Sequence, residues 1–177
     1  MEKNMILKTS RLNIRYIRSD DWENLIEIWK DFNQSEFSKY DVPHSLDEAE
    51  VREKAEHMAK LSPHKEHMCF AVCDQKEMIG YIDFHKNDDG YECGYCFHSK
   101  YHGMGYAKES MQMLMEWLSR DSSKRFIAGT ALNNLPSVRL LTSLGFIKIG
   151  EEKVSFYKDE KGEDIYFDGG IFMVNVG

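Results

Sequence analysis

The chain has 177 residues, of which 42% are hydrophobic, and this composition suits a single domain with a buried core. Its formal net charge of -7 argues against a nucleic-acid-binding surface, which needs clustered Lys and Arg to meet phosphates. The sequence contains no apolar run of the roughly 18 residues that cross a membrane, and no signal-peptide core. We therefore expect one soluble, cytoplasmic domain over residues 1–177 that binds neither nucleic acid nor membrane.

The first third of the chain predicts one strand and two helices. Apolar and polar side chains alternate over residues 12–16, as in a half-buried strand. Ser19 is in position to cap the helix that follows. After an aperiodic surface loop over residues 33–46, Ser45 and Glu48 form a capping box that predicts the start of a second helix. The inward-facing positions of this second helix are predicted to be Val51, Ala55 and Met58.

The middle of the chain predicts three strands and a third helix. Residues 68–73, 78–85 and 91–97 are apolar segments joined by short polar turns, which indicates antiparallel hairpins. A helix then begins near Gly105. Its apolar stripe recurs at spacings of three and four and comprises Ala107, Met111, Leu114, Met115 and Leu118.

The last third predicts a strand over residues 125–132, a helix over 135–144, and two closing strands over 146–157 and 164–174. Asn134 is in position to cap this helix, Pro136 lies in its first turn, and Gly145 ends it. Strands and helices alternate in the order β-α-α-β-β-β-α-β-α-β-β. This order predicts a mixed α/β fold, in which about four helices pack on a central sheet of about seven strands.

The segment 91–107 predicts a site for an anion. A strand runs through a short basic turn into a helix, and the first N–H groups of that helix have no partner within it. Gly103 and Gly105 let the backbone approach a phosphate closely, while Lys100 and protonated His102 would add positive charge. An ordinary strand-to-helix turn is the alternative. Neither the P-loop ending nor the third glycine of a dinucleotide fingerprint is present, which argues against a nucleotide-binding protein.

The four cysteines are predicted to be free thiols rather than a metal or redox site. Cys93 and Cys96 lie in one strand at positions that point to opposite faces. Cys69 and Cys73 share a face but stand about 13 Å apart along an extended chain. No pair is therefore placed to chelate a metal.

Three segments together resemble the GNAT (Gcn5-related N-acetyltransferase) superfamily over about residues 9–174. Lys100–Gly105 resembles the acyl-CoA signature [Gln/Arg]-x-x-Gly-x-[Gly/Ala], with Lys as the departure. Asn134–Ser137 followed by Leu144–Phe146 resembles the segment N-x-x-S…L-G-F, and residues 9–25 resemble the opening of the ribosomal-protein N-terminal acetyltransferases.

The resemblance implies a mostly antiparallel sheet that splays between strands 91–97 and 125–131, with acetyl-CoA in the gap and no metal. Backbone groups of Tyr95 and Phe97 would pair with pantetheine, and residues 102–107 would hold the pyrophosphate. A backbone N–H near Tyr95 or Cys96 would meet the oxyanion. The implied cofactor contacts are Tyr95, Cys96, Phe97, Lys100, His102, Gly103, Met104, Gly105, Tyr106, Ala107, Asn134 and Ser137.

The same resemblance implies candidates for the proton transfers. Glu92 is the predicted base, because the family often places a glutamate at this point of the strand. Ser137 is the predicted acid, since Leu141 stands where many relatives carry a tyrosine; Ser137 could equally be a helix-capping residue. Cys96 is a less favoured rival that would act as a nucleophile. Weaker candidates for the acceptor pocket are Asp83, His85 and Tyr157.

We therefore predict an N-acetyltransferase that passes the acetyl group of acetyl-CoA directly to a primary amine through a tetrahedral intermediate. The acceptor is a protein N-terminus or a small amine, and the protein is a monomer or homodimer. A non-catalytic CoA-binding sensor or interaction module on the same fold is the alternative, since such a module would not need the tyrosine that Leu141 replaces.

Overall fold

A computed structural model describes residues 5–75, 77–88 and 90–177. Within these ranges the chain forms eight strands and four α-helices. The strands are β1 Ile6–Lys8, β2 Asn13–Tyr16, β3 His67–Cys73, β4 Met78–Asn87, β5 Gly90–Phe97, β6 Lys124–Ala131, β7 Ile147–Lys158 and β8 Asp164–Val176. The helices are α1 Trp22–Asn33, α2 Glu48–Leu61, α3 Tyr106–Ser119 and α4 Leu135–Ser143. No helix in the described ranges is long and apolar enough to cross a membrane.

All eight strands belong to one sheet in the order β1-β2-β3-β4-β5-β6-β8-β7. The β5–β6 pair is parallel and the other pairs are antiparallel, which confirms the predicted mixed sheet. The parallel pair follows from α3, because a helical crossover brings the chain back in the same direction. The sequence did not predict β1, whose three residues are too few to show a periodic pattern.

The sheet opens between β5 and β6, as the sequence resemblance implied. The two strands pair only at their starts, and the last pair is Glu92 with Ile127. Beyond this point β5 continues beside β4 alone. The His98 N–H donates to the Ile79 carbonyl of β4, so by the alternation of a strand the backbone groups of Tyr95 and Phe97 point toward the gap.

Each face of the sheet carries its own hydrophobic core. One core packs under α3 and α4 and contains Cys93, whereas the other packs under α1 and α2 and is contacted by Cys96. The predicted opposite orientation of these two cysteines is confirmed, and all four thiols are free. The stripe of α3 is confirmed too: Met111, Leu114 and Met115 are buried in the first core.

The predicted cap at Ser19 is wrong. Ser19 begins a short 3-10 helix, and its side chain caps neither that helix nor α1. Asp21 organises this turn instead, because its carboxylate accepts the Arg18 N–H at 2.7 Å and pairs with both terminal nitrogens of Arg15 at 2.7 Å. The two charges are largely buried, with 7% of Asp21 and 17% of Arg15 exposed.

The predicted capping box of Ser45 and Glu48 is also wrong. Asp47 is the N-cap of α2, since its extended backbone directs the carboxylate to the next free N–H groups, those of residues 49 and 50. Ser45 accepts the Asp47 N–H, and Glu48 binds Arg52 one turn later. The inward positions Val51 and Ala55 are buried as predicted, and Met58 is half-buried.

The C-terminal elements match the prediction closely. Pro136 lies in the first turn of α4, and Gly145 ends this helix with a left-handed backbone, φ 86°. The long β7–β8 hairpin reaches across to the loop between α1 and α2, where the Tyr157 hydroxyl donates to the Ser38 carbonyl at 3.1 Å. The loop after α1 is therefore held by the hairpin.

Candidate active site

A cavity of about 1160 Å³ follows the end of β5 that has no partner in β6. Its wall includes β5 residues 94–97, the start of α3, and one side of α4. The opposite part of the wall comes from α1, α2, β3 and β4. Because α3 and α4 cover one face of the sheet while α1 and α2 cover the other, the cavity reaches both faces.

The glycine turn forms one end of this cavity. Gly103 and Gly105 both have left-handed backbones, with φ of 73° and 79°, and Gly105 is the N-cap of α3. The Glu109 N–H donates to the Gly105 carbonyl, which is the first bond of the helix. The N–H groups of residues 106–108 thus precede the helical ladder, and a Cβ at Gly103 would have no atom within 4 Å. This open turn can accommodate a phosphate.

Arg11 braces the turn from the segment before β2. Its Nη1 donates to the Met104 carbonyl at 2.9 Å, its Nε donates to Glu109 at 2.8 Å, and its guanidinium lies 4.5 Å from the centre of the Tyr106 ring. The Met104 side chain is exposed and does not line the cavity. No local pattern in the sequence indicates a role for Arg11, because its partners lie more than 90 positions away.

The predicted cations of the turn differ in placement. Lys100 is paired with Glu77 at 2.9 Å and lies off the cavity wall, and this ion pair raises the pKa of its ammonium group. His102 lies on the wall and its Nε2 donates to the Phe97 carbonyl at 2.8 Å. Lys108 and Arg139 line the cavity instead of Lys100. Lys108 was recognisable as a cation in the first turn after the glycines, although Arg139 was not.

Two hydroxyl groups meet on the α4 side of the cavity. The Tyr95 and Ser137 hydroxyl oxygens are 2.6 Å apart, within a hydrogen bond. Burial raises the pKa of Tyr95, so its hydroxyl stays protonated. The Asn134 side chain accepts the Ser137 N–H at 3.3 Å, which confirms the predicted capping of α4. Leu141 is fully buried in the core and leaves this end of the cavity to Ser137.

Cys96 lines the cavity from the other face of the sheet. Burial, reinforced by the carboxylates of Asp41, Asp31 and Asp83, raises the pKa of its thiol to about 12. A thiol that remains protonated at neutral pH is a poor nucleophile. The environment therefore argues against the acyl-enzyme route through Cys96.

The predicted base and the weaker candidates occupy different places. Glu92 is exposed, stands at the last residue pair of β5 and β6, and does not line the cavity, so its role stays a prediction. Asp83 and His85 do line it, and His85 Nε2 lies 3.4 Å from Asp83 Oδ1. Tyr157 lies outside this cavity, bound to Ser38.

A sheet that opens beside a glycine turn at the start of a helix is the fold of the GNAT acetyltransferases. A sequence profile of the acetyltransferase (GNAT) domain matches residues 11–147, and the chain belongs to this family. This confirms the predicted resemblance.

Individual proteins support the assignment. The uncharacterized N-acetyltransferase YnaD of Bacillus subtilis is 28% identical over 166 residues, which cover 92% of this chain and 95% of YnaD. A Bacillus anthracis GNAT-family acetyltransferase structure has 25% identity and a TM-score of 0.72, over 96% of this chain and 98% of the other. A Salmonella typhimurium acetyltransferase that modifies the N-terminal serine of ribosomal protein L7/L12 shares the fold at 19% identity, with a TM-score of 0.83 over 98% of this chain and all of the other.

Proposed function

We propose that the protein is an acetyl-CoA-dependent N-acetyltransferase that transfers the acetyl group directly to a primary amine. One observation carries the proposal: a single cavity joins the glycine turn on the α3 face to a group of carboxylates and imidazoles on the α1 and α2 face. A cofactor and an acceptor can therefore enter from opposite faces and meet at the opening of the sheet.

The residues on the α3 face fit an acyl-CoA. Free N–H groups of the turn and of residues 106–108 are available to phosphate oxygens, and Lys108 and Arg139 supply countercharge. The backbone of Tyr95 faces the opening, where it would pair with an extended arm and meet an oxyanion through its N–H. Acetyl-CoA would supply the thioester that makes the acetyl group transferable.

Ser137 is proposed to protonate the departing thiolate. When the Tyr95 hydroxyl donates to Ser137 Oγ, the Ser137 proton is free to point into the cavity. Tyr95 then acts through Ser137, by donating a hydrogen bond to its hydroxyl oxygen. The raised pKa of Tyr95 keeps its hydroxyl protonated, and therefore able to donate, at every physiological pH.

The opposite face fits a cationic acceptor. Asp31, Asp41 and Asp83 line this part of the cavity, and carboxylates favour the ammonium form in which most amines reach an enzyme. Both acceptor classes remain in the proposal: a protein N-terminus, as in the Salmonella relative, and a small amine.

Titration calorimetry tests the cofactor half of the proposal. Acetyl-CoA is expected to bind at micromolar affinity or better, with ATP and NAD as controls that do not bind. Release of CoA thiol is then followed with two amines, a serine-initiated peptide and spermidine. Binding with no amine-dependent release would favour the non-catalytic CoA-binding module, and absence of acetyl-CoA binding would refute both functions.

A further inference from the structure

A carboxylate and two imidazoles meet where the sheet begins to open. Asp83 and His85 lie two residues apart on β4 and point to the same face, and His67 stands opposite His85 on β3. The Nδ1 atoms of His67 and His85 are in hydrogen-bond contact, and their rings meet edge to face at 4.6 Å. All three side chains line the cavity.

Gly94 places Asp83 against the opening. A Cβ at this glycine would lie 2.8 Å from Asp83 Oδ1, so the carboxylate occupies the space that a side chain would take. Gly94 is the second residue after the last pair of β5 and β6. The carboxylate therefore lies over the β5 backbone where the strands separate, while His85, 52% exposed, stands on its solvent side.

Several other groups on this face are occupied, protonated or weaker bases than His85. Both carboxylate oxygens of Asp31 accept bonds from Ser99. Burial raises the pKa values of the Cys69 thiol and the Tyr81 hydroxyl, which therefore cannot accept a proton near neutrality. His44 is stacked on Trp29 at 4.9 Å, and burial lowers its pKa, so it holds a proton more weakly than His85.

We propose that Asp83 binds the ammonium group of the acceptor and that His85 receives its proton. This inference rests on the proposed acetyltransferase function. In the transfer the amine N–H bond breaks, the proton passes by way of the Asp83 carboxylate to His85 Nε2, and the electron pair stays on the amine nitrogen. The proton then leaves to solvent from the exposed ring.

His67 contacts the Nδ1 atom of His85 and so affects which nitrogen of the His85 ring can accept a proton. If His85 Nδ1–H donates to His67 Nδ1, the neutral His85 ring carries its lone pair on Nε2, the nitrogen that faces Asp83. In this arrangement His67 is a positioning residue, because its Nδ1 accepts from His85 and so selects the tautomer. Protonation of Nε2 is then stabilised by the adjacent carboxylate.

Charges around His85 favour proton capture. In the protonated ring, the hydrogen bond from Nε2–H to Asp83 raises the pKa of His85 above the usual histidine value, against the effect of burial, and the charges of Asp83 and Glu92 raise it as well. The neighbouring titratable groups lie on β4, β3, β5, α2 and the residue before β3, and they are Asp83, Lys86, His67, Glu92, Lys54, His57 and Glu66.

The test is the pH profile of kcat/KM for thiol release, with a serine-initiated peptide or spermidine as the acceptor. Because the base must be unprotonated, the rate rises with pH through the pKa of His85, above the usual value of about 6.5. His85→Gln is expected to remove this limb and lower kcat by about 10²-fold or more, with unchanged acetyl-CoA binding. Asp83→Asn is expected to move the limb to lower pH, because it removes the carboxylate that raises the pKa.

Control variants distinguish the ionisation of His85 from the ionisation of the amine acceptor, which is the same in every variant. His64→Gln and Asp88→Asn change an exposed histidine and an exposed aspartate off the cavity wall, and both should keep the wild-type profile. An NMR titration needs no acceptor: His85 should titrate above the usual histidine value, and Asp83→Asn should lower the His85 midpoint.

The outcomes distinguish the two proposals. Wild-type thiol release that His85→Gln leaves unchanged would overturn the inference alone. Loss of the limb in Glu92→Gln, with the limb intact in His85→Gln, would assign the base to Glu92 and also overturn it. Acetyl-CoA binding without thiol release by the wild type would refute the proposed function, and the inference with it.

Discussion

Removing either hydroxyl of the Tyr95–Ser137 pair should slow thiol release, and removing both should cost no more than removing Ser137 alone. The bond between them is 2.6 Å long, and Ser137 is the member proposed to face the thiolate. Ser137→Ala removes that donor and should lower kcat by about 10²-fold, the low end for general acid catalysis. A modest value is expected because a thiolate leaves without much assistance.

Tyr95→Phe leaves Ser137 in place and removes only the hydrogen bond behind it. A neutral hydrogen bond contributes about 1 kcal/mol net, and about 1.4 kcal/mol corresponds to tenfold in rate, so the expected loss is five- to tenfold. If Tyr95 acts only through Ser137, the double variant should lose about 10²-fold; independent action would multiply the effects to nearly 10³-fold.

The assay is steady-state release of CoA thiol at saturating acetyl-CoA, with melting temperatures to confirm folding. Tyr91→Phe is the matched control, because Tyr91 is a buried tyrosine of the same strand and does not line the cavity. Multiplicative effects of the two substitutions would show that the hydroxyls do not form one donor. An unchanged kcat in Ser137→Ala would refute its role as the acid.

Three further substitutions test separate parts of the structure. Gly94→Ala puts a Cβ 2.8 Å from Asp83 Oδ1 and should displace this carboxylate. The acid limb of the pH profile should then move to lower pH, while the melting temperature changes little. An unmoved limb would contradict the placement of Asp83. Asp21→Asn should lower the free energy of unfolding, measured with urea, by about 2–3 kcal/mol, because the largely buried Arg15 guanidinium loses its counter-ion while it keeps its bond to the Tyr16 carbonyl. A loss below about 1 kcal/mol would argue against this pair. Gly103→Ala and Gly162→Ala should each cost about 1–2 kcal/mol of stability, since both glycines have left-handed backbones and open surroundings. Only Gly103→Ala should weaken acetyl-CoA binding, measured by calorimetry. If both variants bind acetyl-CoA equally well, the cofactor lies elsewhere.

Local patterns in the sequence predicted the parts of the site that depend on a few neighbouring residues. The glycine turn, the start of α3 near Gly105 and the cap at Asn134 each involve residues within one turn of helix. The opening of the sheet came from the family resemblance, because no periodicity within residues 91–97 or 125–131 reports how far two strands pair.

Contacts between distant segments were beyond the reach of the sequence. Tyr95 and Ser137 are 42 positions apart, and Lys100 meets Glu77 across 23 positions. Strand alternation predicts that Glu92 lies on the same face as Gly94, but it does not predict how far Glu92 stands from the opening along β5. That distance depends on where the pairing of β5 with β6 stops, which is a property of the folded sheet.

The opening between β5 and β6 divides the cavity into walls that come from separate stretches of the chain. Residues 94–143 supply the side that suits the cofactor, whereas positions 29–69, with three side chains of β4, supply most of the side that suits the acceptor. Under the proposed function, substitutions between α1 and β3 would therefore alter which amine is accepted while the glycine turn keeps its geometry. Such a division lets one scaffold diverge toward new acceptors by mutation of a single contiguous segment.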